Sequence, residues 1–528
     1  MNFYKLGRYF SAKTTLQQQV YYPTLSDTIK KRITSLSASQ LFFCACILHF
    51  LLWVLLPYFI RPQILIDSAE GIAWGMQWEL GYFKHPFLAP WISIIFVKIL
   101  GNIDLAVYFV SQLSVIVCFV AIWRLANKIL SPLQALVAVF LLEANFYYHI
   151  IALQFNPNIL MLPLWALSAL FFYNAITQSK VLWWLLLGIC LGLALDTKYE
   201  TPLLIISMLL FIFMDQQGRQ SLKSWGPYIT VLISSIIFLP NLIWMFNHKL
   251  APIHYALNSL NETHLPANFI RARLVVVSTF ITTQLGNILP ILLLLIPFYL
   301  RINIKERLIN KFHWKFMVIV GFGPLFLALL YALLTASQIK PYWSYPFYSL
   351  LGLILVAYLN PKVNKYNLYW FYTILFSLQL VILLLFKGYI NSSNAEQNNF
   401  PFKAMAYQET QRWHKRYHTP LPNILGSRSI ASYMTTYSQD HPKPYFMISN
   451  TQSPWINDHT IEKVGGLFMW TDEESYLYTK VKQRFPNLIN CKPTTYNALH
   501  VHHQKNYTVH CAVIPPKSRL IKKALFNN

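Results

Sequence analysis

Residues 67–91, DSAEGIAWGMQWELGYFKHPFLAPW, crowd acids, bases and aromatic rings just beyond an apolar run long enough to cross a membrane. Asp67 and Glu70 are three positions apart, which on a helix sets both carboxylates on one face. Such a pair suits a base working beside a partner, or oxygen ligands for a phosphate-bound metal. Tyr82, Lys84, His85 and Pro86 form a second polar knot. A third, Asp196-Thr197-Lys198-Tyr199-Glu200, joins two short apolar stretches, a position where charge is expensive and usually functional. Each knot also has a plainer reading. Asp67 and Glu70 fit first-turn acids at the positive end of a helix. His85 fits a hydrogen-bonded interface histidine, and Lys198 a snorkelling lysine paired with Asp196 or Glu200.

The elements that must position these groups are membrane helices. Of 528 residues 55% are hydrophobic and only 12% charged, too apolar and too long for one soluble domain. The expected fold class is an α-helical polytopic membrane protein of about eleven transmembrane helices with a small α/β extracytoplasmic C-terminal domain. Residues 1–40 form a basic cytoplasmic leader, which holds the amino terminus inside by the positive-inside rule. Residues 41–60 cross, and residues 61–103 make a long first external loop carrying Asp67, with an interfacial helix over 87–100. Later crossings fall at 104–125, 132–150, 159–176, 225–246, 274–300 (with a break at Gly286–Asn287), 316–335, 344–359 and 368–386. Residues 181–195 and 201–214 are two shorter ones. The aromatic and amide-rich stretch 144–158 reads as an external, substrate-facing turn. An odd number of crossings puts residues 387–528 outside. There helices are expected at 402–417, 429–437 and 473–485, and strands at 423–426, 444–449 and 507–514.

The formal charge of +24 is not gathered on a soluble basic face. Much of it lies in short loops between apolar spans, which suits membrane lipids and phosphate-bearing substrates and argues against nucleic acid. Four of six cysteines fall in apolar runs; Cys491 and Cys511 lie in the polar tail and could pair in an oxidising compartment. There is no GxxxxGK[ST], no GxGxxG opening a helix, no CxxC and no HExxH. No nucleotide cofactor is therefore expected, and the energy must come from an activated donor. The external segment after residue 246 carries His248, His254 and His264, one of which could join Asp67 and Glu70 around Zn2+, Mg2+ or Mn2+; Asp67, Glu70 and His248 are the expected ligand set. Arg271 could bind acceptor phosphates or simply anionic headgroups, and Lys340 with Trp343 could line the outer mouth or form an aromatic belt with its basic neighbour.

An acid pair opening the first loop, the run GYFKHP at residues 81–86, GICLGLALDTK ending at Lys198, and KPYW at residues 340–343 together resemble the C-type (GT-C) membrane glycosyltransferases. Within them the chain is similar to the bacterial protein-mannosyltransferase-like enzymes, which include the lipid A aminoarabinose transferases. The SPWIND and GGLFMW runs of the tail resemble the same group more loosely. The resemblance makes residues 41–386 the catalytic membrane domain and Asp67 the essential carboxylate. Many members carry an acid two residues before the proline; here Lys84 stands there, so the second carboxylate falls to Glu70.

The implied reaction moves a sugar from a polyprenyl (undecaprenyl) phosphate donor to a lipid A or lipopolysaccharide, glycan or protein acceptor. It would occur on the periplasmic face of a bacterial inner membrane, with inversion. Asp67 and Glu70 act as catalytic carboxylates; Lys84, His85, Lys198, Arg271 and Lys340 take the phosphate charge; Tyr82, Tyr199 and Trp343 line the substrate. Two other classes fit the composition. A transporter or flippase of a lipid-linked or anionic substrate would carry charges in mid-span and paired broken helices. A lipid-linked oligosaccharide ligase or polymerase would share the donor but not the Asp67-led loop.

Overall fold

The computed structural model describes residues 36–260, 269–304, 309–390, 399–499 and 506–517. Most of the basic leader, and His264, lie outside them. Six helices among the described residues are long and apolar enough to cross a membrane: Ala38–Ile60, Ile103–Ala126, Pro157–Gln178, Gly226–Asn247, Lys311–Thr335 and Lys365–Ile390. Three further pairs are bent, Pro132–Ala144 with Phe146–Leu153 by 89°, Ile270–Ile288 with Ile291–Arg301 by 42°, and Pro341–Tyr348 with Leu351–Leu359 by 53°. The protein is a multi-pass membrane protein with six to nine such spans among these residues. Eleven is reached only by adding Val181–Leu195 and Thr201–Met214, whose 15 and 14 residues fall short of the roughly 20 needed to cross untilted.

The sharpest bend falls within the stretch expected as an external turn, 144–158. This stretch is largely buried and built of short 3-10 turns. A broken helix inside apolar surroundings must have its freed carbonyls satisfied. Ser111 Oγ and Gln112 Nε2 donate to the Ala152 carbonyl at 2.6 and 2.9 Å, and Gln379 Nε2 donates to the Glu143 carbonyl at 3.1 Å.

Between the first two spans the chain makes two short helices, Ile66–Gly75 and Leu88–Leu100. They touch at Gly75, where a Cβ would stand 2.3 Å from the Pro90 carbonyl oxygen. Between them a tight turn, closed by Tyr82 N–H to the His85 carbonyl at 2.9 Å and a bridge between Gly81 and Pro86, projects Lys84 and His85 from its tip.

Beyond the last span lies the expected small α/β unit. Among the described residues its six strands are β1 (Asn423–Gly426), β2 (Lys443–Phe446), β3 (Gly466–Thr471), β4 (Ile489–Asn490), β5 (Thr494–Asn497) and β6 (Asn506–Ile514). The sheet order is β2-β1-β3-β6-β4, with β5 also on β6; β2, β1 and β3 are parallel and β6 runs against β3. From β1 the chain crosses through helix Arg428–Tyr437 to β2 on one side, and β2 then connects to β3 on the other. The carboxyl ends of β1 and β3 are thus a topological switch point, where open α/β sheets place their ligands. β2 stops at Phe446, short of the expected 449, because Met447 and Ile448 take left-handed backbone angles.

Candidate active site

Helix Ile66–Gly75 carries both carboxylates of the acid pair on one face, with Asp67 in its first turn. Against this helix packs Arg428–Tyr437 of the C-terminal unit, whose side chains satisfy the loop's backbone. Tyr433 and Thr436 hydroxyls donate to the carbonyls of Ile64 and Ala69 at 3.0 and 3.1 Å, and Ile64 N–H donates to Tyr437 Oη at 3.0 Å. The packing delivers Arg428 to the acids. One terminal nitrogen of its guanidinium donates to Asp67 Oδ1 at 2.7 Å and to Glu70 Oε2 at 2.6 Å. Its Nε is buried with no hydrogen-bond partner.

The remaining carboxylate oxygens are held from the membrane domain. Asn156 caps helix Pro157–Gln178 with its amide oxygen and donates its amide nitrogen to Asp67 Oδ2 at 3.2 Å. Lys84 donates to both Glu70 oxygens, at 2.8 and 3.1 Å, under a wall formed by Trp74, Phe83 and Tyr255. Burial pushes the Glu70 carboxyl up, but Lys84 and Arg428 outweigh it and hold it down at about 2. Glu70 is therefore a fixed anion. Asp67, 39% exposed against 5% for Glu70, is the carboxylate open to an incoming group.

The acids face an open cavity of about 770 Å3, whose wall includes Lys84, His85, Lys198, Lys340, Trp343 and Arg428. Lys198, at the tip of the hairpin between Val181–Leu195 and Thr201–Met214, donates to Asn158 Oδ1 at 2.6 Å and Glu200 Oε2 at 2.8 Å and lies 5.5 Å from the centre of the Trp343 ring. Burial pushes the Lys198 ammonium down and the Glu200 carboxyl up, each opposed by the other's charge. His85 is pushed down to about 3, first by burial and then by Lys198 and Lys84, so it faces the cavity as a neutral imidazole.

Four expected positions fall elsewhere. Tyr82 is fully buried beneath the cavity, stacked on Trp74, with its hydroxyl donated to the Trp74 carbonyl at 2.8 Å. Tyr199 turns away to Asn241 Oδ1 at 3.1 Å, and Arg271 is exposed on Phe269–Ile288 outside the cavity wall. His248 stacks on Trp244 and bonds its carbonyl, so it does not join the acids. Among the described residues no three His, Cys, Asp or Glu side chains are grouped to hold a metal. The donor set does not fit a resident one either, because Arg428 and Lys84 already occupy the carboxylates. Sequence reasoning missed Arg428, and reached Asn156 and Asn158 only as part of the amide-rich, substrate-facing stretch 144–158. No local signal marks Arg428; for the asparagines the signal was the NPN preceding a span.

Residues 84–244 match the model of the dolichyl-phosphate-mannose-protein mannosyltransferase family. The structure is similar to that of ArnT from Cupriavidus metallidurans bound to undecaprenyl phosphate, with a TM-score of 0.56 and 11% identity over 90% of this chain and 97% of that one. The chain shares the fold of that ArnT structure. The same enzyme in its apo state gives a TM-score of 0.53 at 12% identity, over 91% of this chain and 99% of that one. By sequence, the chain is 22% identical over 264 residues to the lipid A galacturonosyltransferase RgtD of Rhizobium johnstonii, covering 47% of this chain and 51% of the relative. It is also 22% identical over 200 residues to the lipopolysaccharide core galacturonosyltransferase RgtA of the same organism, covering 37% and 40%. The chain spans about half the length, or less, of these curated relatives.

Proposed function

We propose that the chain is a membrane glycosyltransferase that moves a sugar from a polyprenyl phosphate to a lipid A or lipopolysaccharide acceptor. The observation that carries this reading is the cavity itself: an accessible carboxylate, Asp67, beside a locked one, Glu70, with Arg428, Lys198 and Lys340 around them. Asp67 orients the acceptor nucleophile or takes its proton. The nucleophile attacks the anomeric carbon from the side opposite the phosphate, the bond from that carbon to the phosphate oxygen breaks, and configuration inverts. The phosphate keeps the electron pair. Its growing charge is met by Lys198 and Lys340 and by the unpartnered Nε–H of Arg428. Where the acceptor is itself a phosphate, Asp67 positions it without taking a proton.

Lys84 does not serve the phosphate in this scheme, since both its bonds go to Glu70. It fixes the anion that in turn anchors Arg428. His85 contributes a neutral donor. The basic loops between spans support an inner-membrane protein with a cytoplasmic amino terminus and the cavity and C-terminal unit on the periplasmic side. The lipid A and lipopolysaccharide relatives support the acceptor class, and the undecaprenyl phosphate of the ArnT structure supports the donor class. The test is transfer of a labelled sugar from polyprenyl phosphate to lipid A in vesicles holding the purified chain, paired with mass spectrometry of lipid A and core from a strain lacking it. No transfer in vitro and unaltered glycolipids in the strain would overturn the reading.

A further inference from the structure

We propose that Cys491 and Cys511 are a dithiol that closes to a disulfide across the edge of the C-terminal sheet. Strands β4 and β6 pair Ile489 with Val513 and Asn490 with Ala512; one step further, Cys491 stands opposite Cys511 and donates its N–H to the Cys511 carbonyl at 2.9 Å. Residues opposed in an antiparallel pair have Cα atoms about 4.5–5.5 Å apart with side chains on the same face, inside the roughly 4.4–6.8 Å window a disulfide requires. Cys511 Sγ donates to the carbonyl of Lys492, the residue next to Cys491, at 3.6 Å. The other four cysteines sit on apolar helices of the membrane domain.

The pair is reachable and asymmetric. Both sulfur-bearing residues line an open cavity of about 710 Å3, walled also by Arg412, Arg416 and Lys492. Cys491 is half-buried and Cys511 buried. The neighbouring Cys511 pulls the Cys491 thiol down against burial, with help from Arg416 and Arg412, while Cys491 and then burial push Cys511 up. Cys491 is thus the attacking thiolate and Cys511 the resolving thiol. With glutathione disulfide as oxidant, Cys491 attacks one of its sulfurs, forming a mixed disulfide and releasing one glutathione thiolate. Cys511 then gives up its proton and attacks the Cys491 sulfur, expelling the second glutathione. Two protein thiols are oxidised, one glutathione disulfide is reduced, and two glutathiones leave. The closed bond ties β4 to β6 and encloses β5 between its ends, which limits the unfolded chain.

The test uses the full chain in detergent micelles, treated with excess glutathione disulfide, quenched in acid, alkylated and mapped by mass spectrometry. The expected result is two fewer alkylated thiols, the loss of two hydrogens and a linked peptide containing Cys491 and Cys511. In Cys511→Ser a stable glutathione adduct should accumulate on Cys491, and without oxidant Cys491 should be alkylated about tenfold faster than Cys511. Two thiols that stay alkylatable in the wild type, or a wild-type glutathione adduct that never resolves, would overturn the proposal. The wild-type map decides the matter even if a variant fails to fold.

Discussion

Replacing Arg428 with alanine removes the cation that touches both carboxylates. Glu70 is 5% exposed and keeps Lys84; Asp67 and Arg428 are 39% and 38% exposed, so that bond is screened by water. A charge-assisted hydrogen bond contributes about 1.5–3 kcal/mol when sheltered and an exposed pair about 0.2–1 kcal/mol. Taking the lower end for each gives ~2 kcal/mol, or roughly 30-fold in kcat/KM if the orientation of the acids is felt in the transition state. The pH dependence shifts as well. With Arg428, Glu70 stays ionised down to about 2, so its contribution to the folded site is complete above the free glutamate value and lost only as the pH falls through about 2. Without Arg428 burial is opposed by Lys84 alone, the carboxyl rises, and the loss begins at higher pH. The assay is labelled-sugar transfer in vesicles from about pH 4 to about pH 8. Arg428→Ala should show the drop and an acid limb displaced upward. Arg428→Lys should recover part of both, because a single nitrogen does the bridging. A full rate and an unmoved acid limb in Arg428→Ala would refute the reasoning.

Other consequences follow from the same contacts. Glu70→Gln leaves Lys84 and Arg428 facing each other without their anion, so thermal stability and transfer should fall together, by several degrees and more than about tenfold; calorimetry with the transfer assay checks both. His85, held at about 3, is neutral at working pH, so His85→Gln should leave the pH profile of transfer near neutrality unchanged. Unfolded histidine binds a proton near ~6.5, so the wild type should lose stability as the pH falls from there toward about 3, and His85→Gln should lose less; acid melts measure the difference. Lys198→Ala and Lys340→Ala should weaken donor binding in proportion to its phosphate charge, read as a raised KM for the polyprenyl phosphate with a smaller change for the acceptor.

The helices and the acid pair were legible because their signals are local. Apolar length marks a span, and a three-residue spacing sets Asp67 and Glu70 on one helical face, as Ile66–Gly75 does. The tail strands at 423–426 and 506–514 were legible from short apolar runs, whereas β3 was read only as a family motif, since its buried run GLFM has no alternation to betray a strand. Arg428 was not legible. It reaches Asp67 and Glu70 across more than 350 positions, through a sheet topology that no window along the chain records. Tyr82 and Tyr199 misled for the opposite reason: they adjoin cavity-lining residues in sequence, but their hydroxyls serve Trp74 and Asn241. Lys198 united both readings, paired with Glu200 as a structural lysine would be and still on the cavity wall.

The central claim is that Asp67 is the carboxylate that addresses the acceptor. The direct measurement is the single-turnover rate of sugar transfer by Asp67→Asn in vesicles preloaded with polyprenyl-phosphate sugar. Asparagine keeps the size and still accepts from Arg428, so the fold and donor binding should persist while the rate falls by about 100-fold or more. A rate equal to that of the wild type, at equal protein and donor occupancy, would contradict the account.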